Sequence, residues 1–289
     1  MNDLSQPVGI VGAGRVGQAL ALGLAAPEAP PPLLWTRSAA SLKGVLARVP
    51  VVRPVASLGA LAAETKLIAL AVSDDALEEV VRELAWAIPE GHAPFVFHVS
   101  GRSGADILAP LAAAGALTAA VHPVMTFTGE PQAEVARMAR ARFAITGSSP
   151  AATLHARDLV ARLKGVAVEI GENQRPLYHA ALCHASNHLV TLMADASEAL
   201  VNAGVEEPGP LLAPLVRAAL ANSLSRGFSA LSGPILRGDA GTIADHLAAL
   251  EAECPALLPA YRAMACATLD RLERDAVPGD RTALRQRIG

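Results

Sequence analysis

The sequence of 289 residues predicts an α/β fold: a doubly wound, mostly parallel sheet in the N-terminal part, followed by an all-α C-terminal domain. Three observations carry this expectation. Short apolar runs alternate with stretches of helical periodicity up to about residue 170, the pattern of successive β-α-β units. Beyond that point only helical periodicity remains. The composition agrees, since it is 52% hydrophobic but only 3% aromatic, and such a chain favours helices and close helix packing over an aromatic-rich β-sandwich. The expected domains are 1–170 and 171–289, and the length suffices for two full hydrophobic cores.

Charge and cysteine usage exclude several classes. A net charge of −3 brings no basic excess for nucleic acid or an anionic membrane. The three cysteines, Cys183, Cys254 and Cys266, have no C-x-x-C spacing and suit buried free thiols in a reducing compartment. The opening MNDLSQP has neither a basic nor an apolar segment of a signal peptide. No run stays apolar for the ~20 residues a membrane span needs. The expectation is a cytoplasmic protein.

The first strand is VGIVG (8–12), and GAGRVGQALALGLA follows it with helical periodicity. LLWTR (33–37) is the second strand, introduced by prolines 30 to 32. KLIALAV (66–72), PFVFHV (94–99) and LTAAV (117–121) continue the series, with helices at DDALEEVVRELAWAI (74–88) and GADILAPLAAAG (104–115) between them. RFAIT (142–146), a helix from PAATLHARDLVARLKG and VAVEI (166–170) form a further β-α-β unit. In such sheets ligands lie outside the carboxyl ends of the strands, so the chemistry is expected at those ends.

The end of the first strand reads Gly12-Ala13-Gly14-Arg15-Val16-Gly17. Gly12 permits a tight turn, Gly14 lets backbone approach a pyrophosphate, and Gly17 lets the helix pack on the strand. The helix N-terminus there offers unpaired N–H groups to phosphate. Alone this is an ordinary glycine turn; between a strand and a helix it is the dinucleotide-binding signature of a Rossmann-type domain. At the end of the second strand, where an NAD site expects Asp or Glu, the sequence has Thr36, Arg37 and Ser38. A guanidinium with two hydroxyls suits a 2′-phosphate, which makes NADP(H) the expected cofactor over NAD(H); otherwise Arg37 is a solvated loop residue.

The other strand ends add Val72 and Ser73, Ser100 and Gly101, and His122. Ser73 reads as a helix N-cap with acids after it, while the backbone around Val72 and Ser73 can still line the cofactor. Ser100 and Gly101 form a small-residue turn suited to close approach of a nicotinamide ring or substrate. His122, fixed by the proline after it, is placed to line the crevice unless it is merely structural.

In the second half, residues 175–204 read as one long helix, with Pro176 near its start and Gly204 after its end. Helices follow at 209–226, 241–253 and 255–274. The segment YHAALCHASNH (178–188) resembles a metal cluster until helical spacing sorts it. His179, Cys183, Ser186 and Asn187 share one stripe, whereas His184 and His188 share another. A helical histidine pair needs a third ligand, and no H-E-x-x-H motif is present, so no metal is expected. The first stripe is read as a pocket wall, its alternative being polar contacts in a dimer interface. Thr242 is expected to cap the helix after LSGPILRGD, with Asp245 in its first turn.

GIVGAGRVGQAL (9–20), HVSGRSG (98–104), VHPVMTF (121–127), YHAALCHASN (178–187) and LSGPILRGD (231–239) together resemble the bacterial two-domain group that pairs a Rossmann-like domain with a C-terminal domain of unknown function. That group lies within the superfamily of 6-phosphogluconate dehydrogenase, 3-hydroxyisobutyrate dehydrogenase and pyrroline-5-carboxylate reductase. The resemblance covers nearly the whole chain and implies a nicotinamide-dependent oxidoreductase, dimeric through helices of the second domain. It also raises Arg237 and Asp239 as groups for a substrate carboxylate or for the dimer.

One departure concerns the proton. In the hydroxyacid dehydrogenase branch the long helix carries a lysine followed by asparagine; Asn187 matches the asparagine, but Cys183 and His184 stand at the lysine positions. The chain's lysines, Lys43, Lys66 and Lys164, all lie in the first domain. His179, His122 and Tyr178 remain as proton-handling candidates, because imidazole titrates near neutrality. The expected function is hydride transfer between NADP(H) and a small carbonyl, imine or alcohol, with Ser186 and Asn187 orienting the reactant. The alternatives are a non-catalytic NADP(H)-binding sensor or partner protein, and a deazaflavin-linked reductase.

Overall fold

The structure is a computed structural model and describes residues 6–289. It has two compact units, Met1–Leu182 and Cys183–Gly289. The division follows packing and falls inside a long helix, whereas the sequence boundary at 170 follows the change of periodicity.

The first unit contains β1 (Val8–Val11), α1 (Arg15–Leu24), β2 (Leu33–Trp35), α2 (Ala39–Arg48), β3 (Arg53–Pro54), α3 (Leu58–Glu64), β4 (Leu67–Leu70) and α4 (Asp74–Ala87). It continues with β5 (Phe95–His98), α5 (Ala109–Ala113), β6 (Leu117–Pro123), α6 (Pro131–Met138), β7 (Arg142–Gly147), α7 (Pro150–Arg162) and β8 (Val166–Glu169). One sheet of eight strands runs in the order β3-β2-β1-β4-β5-β6-β7-β8. The strands from β3 to β6 are all parallel, so the carboxyl ends of β1, β2, β4, β5 and β6 lie along one edge.

The sheet is mostly parallel, as expected; the exception is β7, which pairs antiparallel to β6, with Pro123 opposite Phe143. The connection explains the reversal. α6 packs on α1, where Val135 and Met138 approach Gly23, and the chain then re-enters beside the carboxyl end of β6. β7 and β8 are parallel, as their own β-α-β unit requires.

Alternate residues of each strand face opposite sides of the sheet. Ile10, Leu34, Phe97, Val121 and Ile145 pack with α1, α2 and α7 on one face. Val11, Leu33, Ile68, Leu70 and Val96 pack with α3, α4 and α5 on the other. A sheet buried on both sides explains why these strands read as continuous apolar runs.

α8 (Arg175–Asn202) crosses the division between the units. It ends as expected: Gly204 has φ +89°, its N–H donates to Val201 O, and Val205 N–H donates to Leu200 O. This left-handed termination favours glycine, which adopts positive φ without steric cost. The second unit continues with α9 (Pro208–Arg226), α10 (Pro234–Arg237), α11 (Ala240–Glu253), α12 (Leu258–Arg274) and α13 (Thr282–Ile288). Its small core holds Ile243, Leu247, Ala265, Leu269, Leu284 and Ile288. Thr242 does not cap α11: the helix starts at Ala240 with Asp239 in the cap position, so Thr242 lies within the first turn and Asp245 beyond it. Gly238, at φ +82°, ends α10 directly before this start. Among the described residues no helix is long and apolar enough to cross a membrane.

Candidate active site

Four loops at the carboxyl edge of the sheet build the candidate site of the first unit. The first is the glycine turn between β1 and α1. Gly12 has φ +114°, and a Cβ there would collide with the carbonyl oxygen of Ala71. A Cβ at Gly17 would collide with the oxygen of Gly12. Both glycines are thus required by the protein's own packing. Gly14 differs: the nearest atom to a Cβ placed there would be Ala71 O at 4.0 Å, so its missing side chain leaves open space. Gly14 occupies the cap position of α1 without a side-chain cap, and the helix begins at Arg15. The N–H groups of Arg15, Val16 and Gly17 therefore open the helix where an anion can be held. Arg15 itself donates from Nη1 to Phe127 O at 3.1 Å.

The second loop follows β2. Ser38 accepts from Ser41 N–H at 3.1 Å and caps α2, while Thr36 Oγ1 accepts from Ser38 N–H at 3.4 Å. Arg37 is half-exposed and pairs with Glu79 of α4 at 2.8 Å. The third loop follows β4. Val72 Cγ1 would be 3.3 Å from a Cβ on Gly12, so this segment lies against the glycine turn. Ser73 holds the cap position of α4 ahead of Asp74 and Asp75, although its side chain makes no capping bond.

The fourth loop, after β5, is tied down at several points. His98 is fully buried; its Nε2–H donates to Gly104 O at 2.7 Å, and its Nδ1 accepts from Ser100 N–H at 3.1 Å. These two bonds define a neutral imidazole, and burial lowers the His98 pKa to about 4. Ser100 Oγ accepts from Ser103 N–H at 3.3 Å. Glu172 closes the loop by accepting from Ala105 N–H at 2.7 Å. A Cβ on Gly104 would collide with that carboxylate.

Against this loop stand three aromatic side chains. His122 Nδ1 and Tyr178 Oη are 2.7 Å apart with their rings nearly perpendicular. His122 and His179 have ring centroids 6.3 Å apart. Gly101 permits this approach, because a Cβ there would lie 2.6 Å from His179 Cδ2 and 3.0 Å from His122 Nε2. Burial, the Arg175 charge and the neighbouring His179 push His122 down to about 4, so at neutral pH it is uncharged. Burial raises Tyr178 to about 12, so the phenol keeps its proton. Tyr178 then donates to Nδ1, and the remaining proton of His122 resides on Nε2, beside Gly101.

Arg175 supports the group from below. Its side chain is wholly buried, donating from Nε to Thr146 Oγ1 at 2.8 Å and from Nη2 to Ala144 O at 3.1 Å. Its guanidinium lies 5.8 Å from the centre of the Tyr178 ring. Nη1 is buried without a hydrogen-bond partner among the described residues.

The structure thus brings together Ser100, Gly101, His122 and His179 in the first unit. Ser186 and Asn187 lie further along α8, in the second unit, Ser186 half-buried and Asn187 exposed. His184 and His188 pair with each other, Nδ1 to Nδ1 at 3.0 Å. Among the described residues no group of three or more potential ligands could hold a metal. Arg237 pairs with Asp239 at 2.7 Å. Sequence reasoning missed Arg175 and Glu172, which act through backbone or hydroxyl partners distant in sequence, and the role of His98, which locks the loop through the nearby Ser100 and Gly104 backbone.

Residues 2–123 match the family described as a Rossmann-like domain, and residues 141–268 match a domain of unknown function, DUF2520. No sequence among the curated proteins matches the chain. Among solved structures it is similar to a protein from Bacteroides fragilis named as a candidate NADP oxidoreductase, with TM-score 0.77 and 20% identity over 92% of this chain and 99% of that one. It is also similar to a reductive aminase from Aspergillus terreus in complex with NADPH4, cyclohexanone and allyl amine (TM-score 0.68, 19% identity, 98% and 99% covered). A pyrroline carboxylate reductase from Plasmodium falciparum with NADP bound gives TM-score 0.60 at 14% identity, with 93% and 96% covered. The chain thus joins a segment that matches the Rossmann-like family to one that matches the DUF2520 family, and it shares its fold with reductases crystallised with NADP or NADPH.

Proposed function

We propose that the protein is an NADP(H)-dependent oxidoreductase acting on a small carbonyl, imine or alcohol. The observation that carries this reading is Gly14: its neighbours inside the protein leave room for a side chain, yet the position is glycine at an uncapped helix N-terminus. A dinucleotide phosphate accounts for that open space. The residues suited to hold the cofactor are Gly12, Gly14 and the N–H groups of Arg15, Val16 and Gly17 at the phosphates, with Val72 and Ser73 beside them. Thr36, Arg37 and Ser38 lie at the strand end that meets the adenosine ribose. The bound cofactor would supply the hydride to a carbonyl or imine, or accept it from an alcohol.

The protein's own groups handle the proton and the geometry. Ser100 and Gly101, held by His98 and Glu172, form a rigid, small-residue platform. His122 is neutral and presents Nε2–H, so it orients an oxygen or nitrogen of the reactant by donating a hydrogen bond. His179, beside it, exchanges the proton with that atom, directly or through water. Ser186 and Asn187 belong to the same reading as reactant-orienting groups on α8. The second unit would pair with a second copy of the chain, because α9 exposes Leu211, Leu215, Leu220 and Leu224 and has no buried residue.

A titration of the purified protein with NADPH and NADH tests the cofactor assignment. NADPH is expected to bind the more tightly, and Arg37→Ala to weaken NADPH by roughly tenfold or more while leaving NADH nearly unchanged. Failure to bind either dinucleotide would remove the oxidoreductase reading altogether.

A further inference from the structure

The Arg37–Glu79 pair occupies a particular place in the sheet. Arg37 follows β2 and Glu79 lies on α4, which follows β4, while β1 runs between β2 and β4. The pair therefore links the two segments that flank the carboxyl end of β1, across the glycine turn that starts α1. Its partners are 2.8 Å apart and both 54% exposed.

We infer that Glu79 is a specificity-determining residue that sets the balance between a 2′-phosphate and a bare ribose hydroxyl at Arg37. This rests on the cofactor reading above. A 2′-phosphate is the better partner for a guanidinium, because it carries more charge and accepts in a bidentate fashion. To reach Arg37 it must take the place now held by the Glu79 carboxylate. An exposed pair of this kind is weak, so the exchange is feasible. The displaced carboxylate, however, stays nearby. α4 is anchored by Leu77, Val80, Val81 and Leu84, all buried in the core, so Glu79 retreats only by side-chain rotation. A negative charge consequently remains beside the phosphate and opposes it.

The same carboxylate is an acceptor for ribose hydroxyls. The end of β2 lacks the acidic residue that serves this purpose in NAD sites, and Glu79 brings a carboxylate to that place from α4. Arg37 and Glu79 thus act in opposite directions: the first favours the phosphorylated cofactor, the second the unphosphorylated one.

Binding titrations of the full chain with NADPH and NADH, before and after Glu79→Gln, test this. The glutamine keeps the length and removes the charge. NADPH is expected to bind about three- to tenfold more tightly to the variant, with NADH unchanged or weaker, so that the ratio of the two dissociation constants moves toward NADPH. The shift should shrink as salt is raised, since the site is exposed. An unchanged ratio, or one that moves toward NADH, overturns the role of Glu79 while leaving the cofactor reading in place. A wild-type protein that binds neither dinucleotide overturns the cofactor reading and this inference with it. Circular dichroism of the variant confirms that the fold is retained.

Discussion

At the residue scale the proposed chemistry rests on His122, Tyr178 and His179. His122 stays neutral at pH 7 and receives a hydrogen bond from Tyr178, so the two cannot share one role with His179. Tyr178→Phe removes the donor to Nδ1 and frees His122 to adopt the other tautomer, which turns an acceptor toward the reactant. Turnover with NADPH is expected to fall about tenfold in Tyr178→Phe, and roughly 100-fold or more in His179→Ala, with NADPH affinity unchanged in both. Steady-state kinetics and a parallel binding titration check this; activity surviving both His179→Ala and His122→Ala would refute the proton-handling roles. The separation of the histidines is legible in the sequence, since helical spacing alone places His179 apart from His184 and His188. Arg175 and Glu172 stay hidden there, because Arg175 bonds Thr146 and Ala144 and Glu172 bonds Ala105. No spacing rule reports a backbone or hydroxyl partner that lies far away in the sequence.

Among the elements, β5 and β6 deliver two imidazoles to the sheet edge, His98 fully buried and His122 half-buried. His98 and His122 both have pKa values near 4, lowered mainly by desolvation from the ordinary 6.5. In the unfolded chain they take up protons as the pH falls below about 6.5, while in the folded chain they resist until about 4. The unfolded state therefore binds more protons in that window, and stability is lost as the pH drops through it. For the wholly buried His98 the loss is on the order of a few kcal/mol by pH 4. The melting temperature is expected to fall between pH 7 and pH 5, where few carboxylates titrate, and to fall less steeply in His98→Gln. A flat wild-type profile over that range would contradict the lowered pKa values of the two imidazoles. Apolar runs make β1, β2, β4, β5 and β6 readable because both faces of the sheet are covered. β3 has only two residues, both exposed, and carries no such pattern. The antiparallel direction of β7 is illegible for another reason: it is set by where α6 packs on α1, which is a tertiary choice. Likewise Thr242 resembles a cap, but the left-handed Gly238 already starts α11 at Ala240.

At the scale of the whole molecule, the two units differ in how well they satisfy themselves. The first has a sheet covered on both faces. The second has a core of six buried side chains around α11, α12 and α13, while α9 contributes none. On α9, Leu211 and Leu215 are 54% and 67% exposed, and Leu220 and Leu224 are 47% and 80% exposed. At 100° per residue the first pair and the second pair face opposite sides of the helix. Large side chains exposed on two opposite sides of one helix mark an interaction surface. Between α8 and α9 lies a groove of about 920 Å³ lined by Leu189, Met193, Leu212, Val216, Phe228 and Leu231. In the proposed dimer a second copy, offering the same helix, would cover such a surface by symmetry. Light scattering after size exclusion is therefore expected to give the mass of a dimer. Leu224→Glu discriminates sharply: on a solvent-facing helix the change is nearly neutral for stability, within ~0.5 kcal/mol. In a subunit interface it buries a charge without a partner and shifts the protein to monomer. A monomeric wild type, or a Leu224→Glu variant that stays dimeric with unchanged affinity, would mean that α9 is not covered by a second copy.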